Sequence, residues 1–104
     1  MYLDNYQAEA LTLALPTAKT PAYLVPGLAA EAGELAGVFA KAVRKSVPPE
    51  KQKIIDELGD VLWFVAVLAA TYQVNLSDVA AYNLHKLKQR VTNNTLDALE
   101  SRKE

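Results

Sequence analysis

Two short acidic repeats, Glu31-Ala-Gly-Glu34 and Glu57-Leu-Gly-Asp60, restrict the possible folds of this chain more than any other feature. Each sets two carboxylates three residues apart, with a glycine before the second acid. On a helix, positions i and i+3 share a face, so each pair projects from one side. Both pairs adjoin apolar sequence that belongs against a core, residues 24–30 before the first and 61–70 after the second. Four carboxylates turned into one crevice repel and are costly to desolvate unless cations neutralise them. Oxygen-only ligation suits Mg²⁺, with Mn²⁺ able to substitute. The pattern predicts a small helical, metal-dependent enzyme whose metal-binding and catalytic acids are Glu31, Glu34, Glu57 and Asp60.

The rest of the chain agrees with an all-α fold. No stretch alternates apolar and polar residues over strand length. Asp4 or Asn5 can cap a first helix that runs to about Leu15. Pro16, Pro21 and Pro26 then predict a loop over residues 16–26. A second helix spans about Gly27 to Lys45, with Lys41, Arg44 and Lys45 suited to its negative end. Pro48 and Pro49 separate it from a third helix that continues to about Tyr72. Ser77 is the expected cap of a fourth, with Val79, Leu84, Leu87 and Val91 facing inward. From Thr92 the sequence turns polar, predicting a frayed helix or flexible tail. The simplest architecture is a single domain over residues 1–104, a four-helix bundle small enough that oligomerisation would help it. Gly33 and Gly59 cost their helices about 0.5–1 kcal/mol each relative to alanine, which predicts a close helix crossing at these two positions.

Bulk properties exclude several classes. With 104 residues and a formal net charge of −1, the chain has no charge excess to attract nucleic acid or an anionic membrane. Its longest apolar run, residues 61–70, is half of the roughly 20 residues needed to span a bilayer. Cysteine is absent, so there is no disulfide, thiol nucleophile or thiolate metal site. The N-terminal residues show no signal-peptide pattern, and a cytoplasmic location is expected, in a bacterium or in the host of a phage.

On the fourth helix, Asn83, Lys86 and Arg90 form one stripe at i, i+3 and i+7. One amide and two cations so arranged can grip a polyphosphate, arginine bidentately. A solvated outer face explains the same stripe equally well. Lys41 lies seven residues after Glu34 and shares its face, with Lys45 a turn further on; either can reach phosphate or simply offset the helix dipole. His85, the single histidine, lies beside the stripe and reads as a surface residue. Trp63 and Phe64 read as core or interface. There is no nucleophile–base pair and no glycine-rich phosphate loop.

Taken together, these blocks resemble the MazG-like nucleoside triphosphate pyrophosphohydrolases. That all-α group also includes dimeric dUTPases, dCTP pyrophosphatases and phosphoribosyl-ATP pyrophosphohydrolases. Glu31 and Glu34 followed by Glu57 and Asp60 match its Glu-x-x-Glu and Glu-x-x-Asp hallmark. Tyr6-Gln7 with Ala10 and Thr12 resembles its N-terminal helix, and Asn83 to Arg90 its closing Asn-x-x-Lys-Leu-x-x-Arg element. The resemblance implies Mg²⁺-dependent cleavage between the α and β phosphates of a nucleoside triphosphate, in control of nucleotide pools. It implies triphosphate contacts from Asn83, Lys86 and Arg90, and a homodimer or homotetramer with pockets near subunit interfaces. Tyr6, Tyr2 or Tyr23 could stack on a base, and Asn5 or Gln7 could bond its edge. Ala30 departs from the glycine or further glutamate many members carry there; the general base implied is Glu34 or Glu31, acting through a water at the metal. Three alternatives stand beside this reading. They are a phosphoribosyl-ATP pyrophosphohydrolase-like enzyme, a catalytically silent helical interaction protein, and a di-iron carboxylate bundle, which wants Glu-x-x-His elements that this chain lacks.

Overall fold

The structure, a computed structural model, describes residues 1–93, and among these every regular element is helical. Helix α1 covers Leu3–Thr12, a 3₁₀ turn Pro16–Ala18, α2 Pro21–Lys45, α3 Lys51–Thr71 and α4 Leu76–Thr92. The polar tail expected from about residue 92 lies almost wholly outside the described residues.

The second helix begins six residues before the expected Gly27. Pro21 occupies its first position, where its fixed φ suits a helix and its missing N–H is no loss. The Thr20 carbonyl accepts from the N–H groups of Tyr23 and Leu24, at 3.0 and 2.9 Å. Pro26 lies inside the helix and forfeits the bond its N–H would make to the Ala22 carbonyl. Burial offsets that loss. The added turns carry Leu24 to 0 % exposure and set Gly27 under the Phe64 ring.

That contact relocates the close approach expected at Gly33 and Gly59. A Cβ on Gly27 would stand 2.3 Å from Phe64 Cε1, so only glycine admits the ring here. A Cβ on Gly33 or Gly59 would meet nothing within 4 Å. Helices α2 and α3 therefore lock together at the Gly27–Phe64 end. Around it lie Leu24, Val67, Ala10 and Ala14, with Tyr6, Leu28 and Trp63 packed alongside. Trp63 meets Phe64 edge-on at 5.1 Å and donates its indole N–H to the Ala10 carbonyl at 3.2 Å. Both aromatics thus belong to the core, and Tyr23 stacks on Phe64 at 6.0 Å.

Capping departs from expectation in a consistent way. Tyr2, rather than Asp4 or Asn5, precedes α1, which ends at Thr12. Asn75, rather than Ser77, precedes α4, and its side chain makes no cap bond. The free N–H groups of the first α4 turn are satisfied from α1 instead. Gln7 Oε1 accepts from Leu76 N–H at 3.0 Å, and Asp4 accepts from Ser77 N–H at 2.8 Å and from its hydroxyl at 2.6 Å.

Helix α3 is the hub: among the described residues it alone comes close to α1, α2 and α4, whereas α4 stays away from α2. The Cα radius of gyration is 16.3 Å, against about 13 Å for a compact domain near 100 residues. Helix α4 also sits rotated from the orientation expected of it. Leu84 and Val91 are 54 % and 57 % exposed, while Lys86, Leu87 and Arg90 are half-buried. The stripe of Lys86 and Arg90 is therefore not an outer solvated face.

Candidate functional site

Because α2 and α3 run antiparallel from a short connection, residues counted forward along one lie beside residues counted backward along the other. Glu31 on α2 thereby meets Glu57 and Asp60 on α3, with one carboxylate oxygen from each within 4.8 Å of the others. Glu31 and Glu57 are half-buried and Asp60 is exposed. Glu34, the fourth acid, stands outside this three-way group but close enough for Glu57 to feel its charge.

Glu57 is the centre of the arrangement. Its Oε2 is shielded from water and accepts no hydrogen bond. Burial pushes the carboxyl above the usual glutamate range, and the charges of Asp60, Glu34, Glu31 and Asp56 push it further. A carboxylate that meets two others and keeps one oxygen shielded and unpartnered is a costly arrangement for apo protein. It is what a hard dication needs, and an all-oxygen donor set fits Mg²⁺ or Mn²⁺. The residues present fit such an ion.

Beyond Glu34 and Glu57, towards the α2–α3 connection, the two helices enclose a cleft of about 260 Å³. Lys41 and Lys45 line it from α2, and Glu50 and Lys53 from the start of α3. Lys53 Nζ stands 3.8 Å from Glu50, both side chains well exposed. Lys53 escaped the sequence reading. Its signal was a cation one turn before Glu57, on the face that Glu57 occupies.

The remaining predicted residues fall elsewhere. Tyr6 packs into the core beside α3, and burial, followed by the Asp60 charge, raises its hydroxyl. Gln7 is 7 % exposed, and its amide is spent on structure. Nε2 donates to the carbonyls of Ala66 and Val74, both at 3.0 Å, while Oε1 holds the start of α4. Both amide protons are thus engaged, which corrects the expectation that Gln7 reads a base. Asn83 and Lys86 line a separate groove with Asp78, Val79 and Tyr82, and Lys86 Nζ lies 5.6 Å over the Tyr82 ring. That groove shares no lining residue with the lysine cleft. Arg90 follows on the same helix, half-buried. His85 is exposed, as expected.

Comparison with known proteins gives the family. Residues 19–95 match the MazG nucleotide pyrophosphohydrolase domain. The chain is 35 % identical over 101 residues to Gene 37 protein of Mycobacterium phage L5, covering 86 % of this chain and 89 % of that one. It is 41 % identical over 69 residues to uncharacterized protein YvdC of Bacillus subtilis (strain 168), covering 58 % and 65 %. Neither name carries an activity. No solved structure matches.

Proposed function

This chain belongs to the MazG nucleotide pyrophosphohydrolase family, and on that premise we propose that it hydrolyses a nucleoside triphosphate between its α and β phosphates, using Mg²⁺. The observation that carries the proposal is Glu57, whose carboxylate meets those of Glu31 and Asp60 and keeps one oxygen shielded without a hydrogen-bond partner. In this reading Glu31, Glu57 and Asp60 hold the ion. When bound, it offsets charge developing on the phosphate oxygens and acidifies neighbouring water.

Glu34 then has a different task. Standing outside the three-way group yet beside Glu57, it is the acid free to accept a proton from the attacking water. The water oxygen bonds to the α phosphorus, and the bond from that phosphorus to the bridging oxygen breaks. The bridging electron pair leaves with pyrophosphate, and a nucleoside monophosphate remains.

We also propose that the chain acts as a homo-oligomer. Val43 is 78 % exposed on α2 and Val91 57 % on α4, and the open shape of the single chain leaves these faces for a second copy. Pairing would bring the Asn83, Lys86 and Arg90 stripe to a triphosphate. Control of a nucleotide pool is the role such chemistry serves.

A pyrophosphate-release screen of all standard NTPs and dNTPs, with Mg²⁺ and with Mn²⁺, tests the activity. Metal-dependent release of pyrophosphate and monophosphate is expected from at least one nucleotide. Metal-dependent thermal stabilisation without release from any of them would favour the silent interaction protein.

A further inference from the structure

Helix α4 is tied down at one end. Leu76, its first residue, is 4 % exposed and is the one buried residue of the helix among those described. Further along, Lys86, Leu87 and Arg90 are only half-buried, and α4 stays away from α2. The groups that fix its start come from α1. We propose that Gln7 and Asp4 are positioning residues, which set the direction in which α4 leaves the core and thereby where the Asn83, Lys86 and Arg90 stripe stands. The proposal rests on the pyrophosphohydrolase reading for the task of the stripe, and on the hydrogen bonds at the start of α4 for the tie itself.

Gln7 joins three segments through one side chain. Its amide nitrogen donates to the Ala66 carbonyl on α3 and to the Val74 carbonyl in the α3–α4 connection, and its amide oxygen accepts from the Leu76 N–H, all at 3.0 Å. At 7 % exposure these bonds have no ready replacement from water. Asp4 lies three residues earlier on the same face of α1 and accepts from the Ser77 N–H at 2.8 Å and its hydroxyl at 2.6 Å. Two consecutive N–H groups of the first α4 turn are thus held from α1, while Asn75 supplies no side-chain cap. The connection is fixed as well. Gln73 takes a left-handed φ of 55°, and the N–H groups of Gln73 and Val74 close on the carbonyls of Ala70 and Ala69, both at 3.0 Å. The turn sets the point of exit, and Gln7 and Asp4 set the angle.

The length of α4 makes that angle matter. Lys86 lies ten residues beyond Leu76, about 15 Å of helix rise, and Arg90 fourteen, about 21 Å. A tilt of about 10° at Leu76 would carry them sideways by about 2.6 and 3.7 Å, against the roughly 0.5 Å range over which N–H···O bonds form. Displacements smaller than this cost activity when a substrate must be held in register. The acids Glu31, Glu57 and Asp60 stand on α2 and α3, which lock together at Gly27 and Phe64, so loosening α4 should leave them in place. Nucleotide affinity and metal affinity should therefore separate.

The test compares the full-length wild type with Gln7→Leu, Asp4→Ala and Asp4→Asn, the last of which keeps an acceptor for the Ser77 N–H. Initial rates are measured at saturating Mg²⁺ with a nucleotide that wild type hydrolyses, and Mn²⁺ affinity by electron paramagnetic resonance. Gln7→Leu should raise KM about tenfold and change kcat and Mn²⁺ affinity less than about twofold, the pattern of lost substrate binding. Asp4→Ala should raise KM about threefold, and Asp4→Asn should restore most of the loss. A role confined to stability predicts the opposite split, with kcat falling alongside the folded fraction at unchanged KM. That split, or an unchanged KM in Gln7→Leu, would overturn the assignment. Should Gln7→Leu lose its helical circular dichroism, Asp4→Ala carries the same criterion. If wild type hydrolyses no nucleotide, the enzymatic reading fails by itself. Spin-label distances between Arg44→Cys on α2 and Lys88→Cys on α4 then still decide the tie, because the chain has no other cysteine to take a label. With labelled protein diluted in unlabelled, a broadened distribution in Gln7→Leu supports the tie, and an unchanged one overturns it.

Discussion

Helices α2 and α3 form one hairpin with two unlike ends. At the open end of the hairpin, Leu24, Gly27, Phe64 and Val67 close on one another and α1 packs over them. Near the connection, Glu34, Lys41, Lys45, Lys53 and Glu57 line a cleft that stays open. The first end buries apolar surface and supplies the adhesion; towards the second, the clustered carboxylates of Glu31, Glu34, Glu57 and Asp60 repel one another and consume some of it. The contrast teaches how a small chain can keep a shielded carboxylate oxygen without a partner. The strain is held by packing a few turns away on the same two helices.

The largest expected effect comes from breaking the charged end. Glu57→Ala or Asp60→Ala should lower kcat/KM by on the order of 10²–10³-fold or more in a pyrophosphate-release assay. Helical circular dichroism should persist, because the lost charge relieves repulsion. Undiminished turnover in either variant would remove that acid from the site.

Breaking the packed end should cost stability instead. Phe64→Ala should lose about 3–5 kcal/mol in urea denaturation, from lost burial and a cavity. Gly27→Ala should lose about 1–3 kcal/mol by forcing the ring aside. Gly59→Ala, with open space around it, should be neutral or gain up to about 1 kcal/mol. Equal effects at Gly27 and Gly59 would dissolve the distinction between the two ends. Gln7→Leu should cost at least about 2 kcal/mol, because it strands the Leu76 N–H and removes a donor from the Ala66 and Val74 carbonyls.

The smallest effects are in pH dependence. The Glu57 carboxyl titrates above its ordinary range in the folded chain, so the metal-free fold takes up that proton before the unfolded chain does. Its contribution favours folding at low pH and is lost as pH rises through the raised value. Thermal melts in chelator should therefore show stability rising as pH falls through that window, and Glu57→Gln should flatten the rise. Asp4 runs the other way. The Ser77 hydroxyl, then its backbone N–H, hold the Asp4 carboxyl below its ordinary range. Its contribution is present above the ordinary aspartate value and lost as pH falls through the lowered one. Asp4→Ala should remove only this acid-side component.

Much of this was legible in the sequence because it depends on local spacing. Two acidic pairs at i and i+3 on adjacent helices face each other once the hairpin closes, and Glu31, Glu57 and Asp60 do meet. What escaped depends on tertiary context. Prolines at 21 and 26 read as helix breakers, but burying Leu24 outweighs one missing backbone bond. A glycine's cost shows that something compensates without showing where; the ring came to Gly27. Capping of α4 by Asp4 and Gln7 spans about 70 residues of chain, beyond any local motif. Periodicity also gave α4 two faces without saying which turns inward, so Leu84 and Val91 were placed on the wrong one.

The central claim is that Glu31, Glu57 and Asp60 together hold a divalent cation. Titration of Mn²⁺ into wild type and Glu57→Gln, followed by electron paramagnetic resonance of the free ion, tests it most directly. The account predicts saturable binding by wild type and at least a tenfold weaker affinity in Glu57→Gln. Equal affinity in the two proteins, or no saturable binding by wild type, would contradict it.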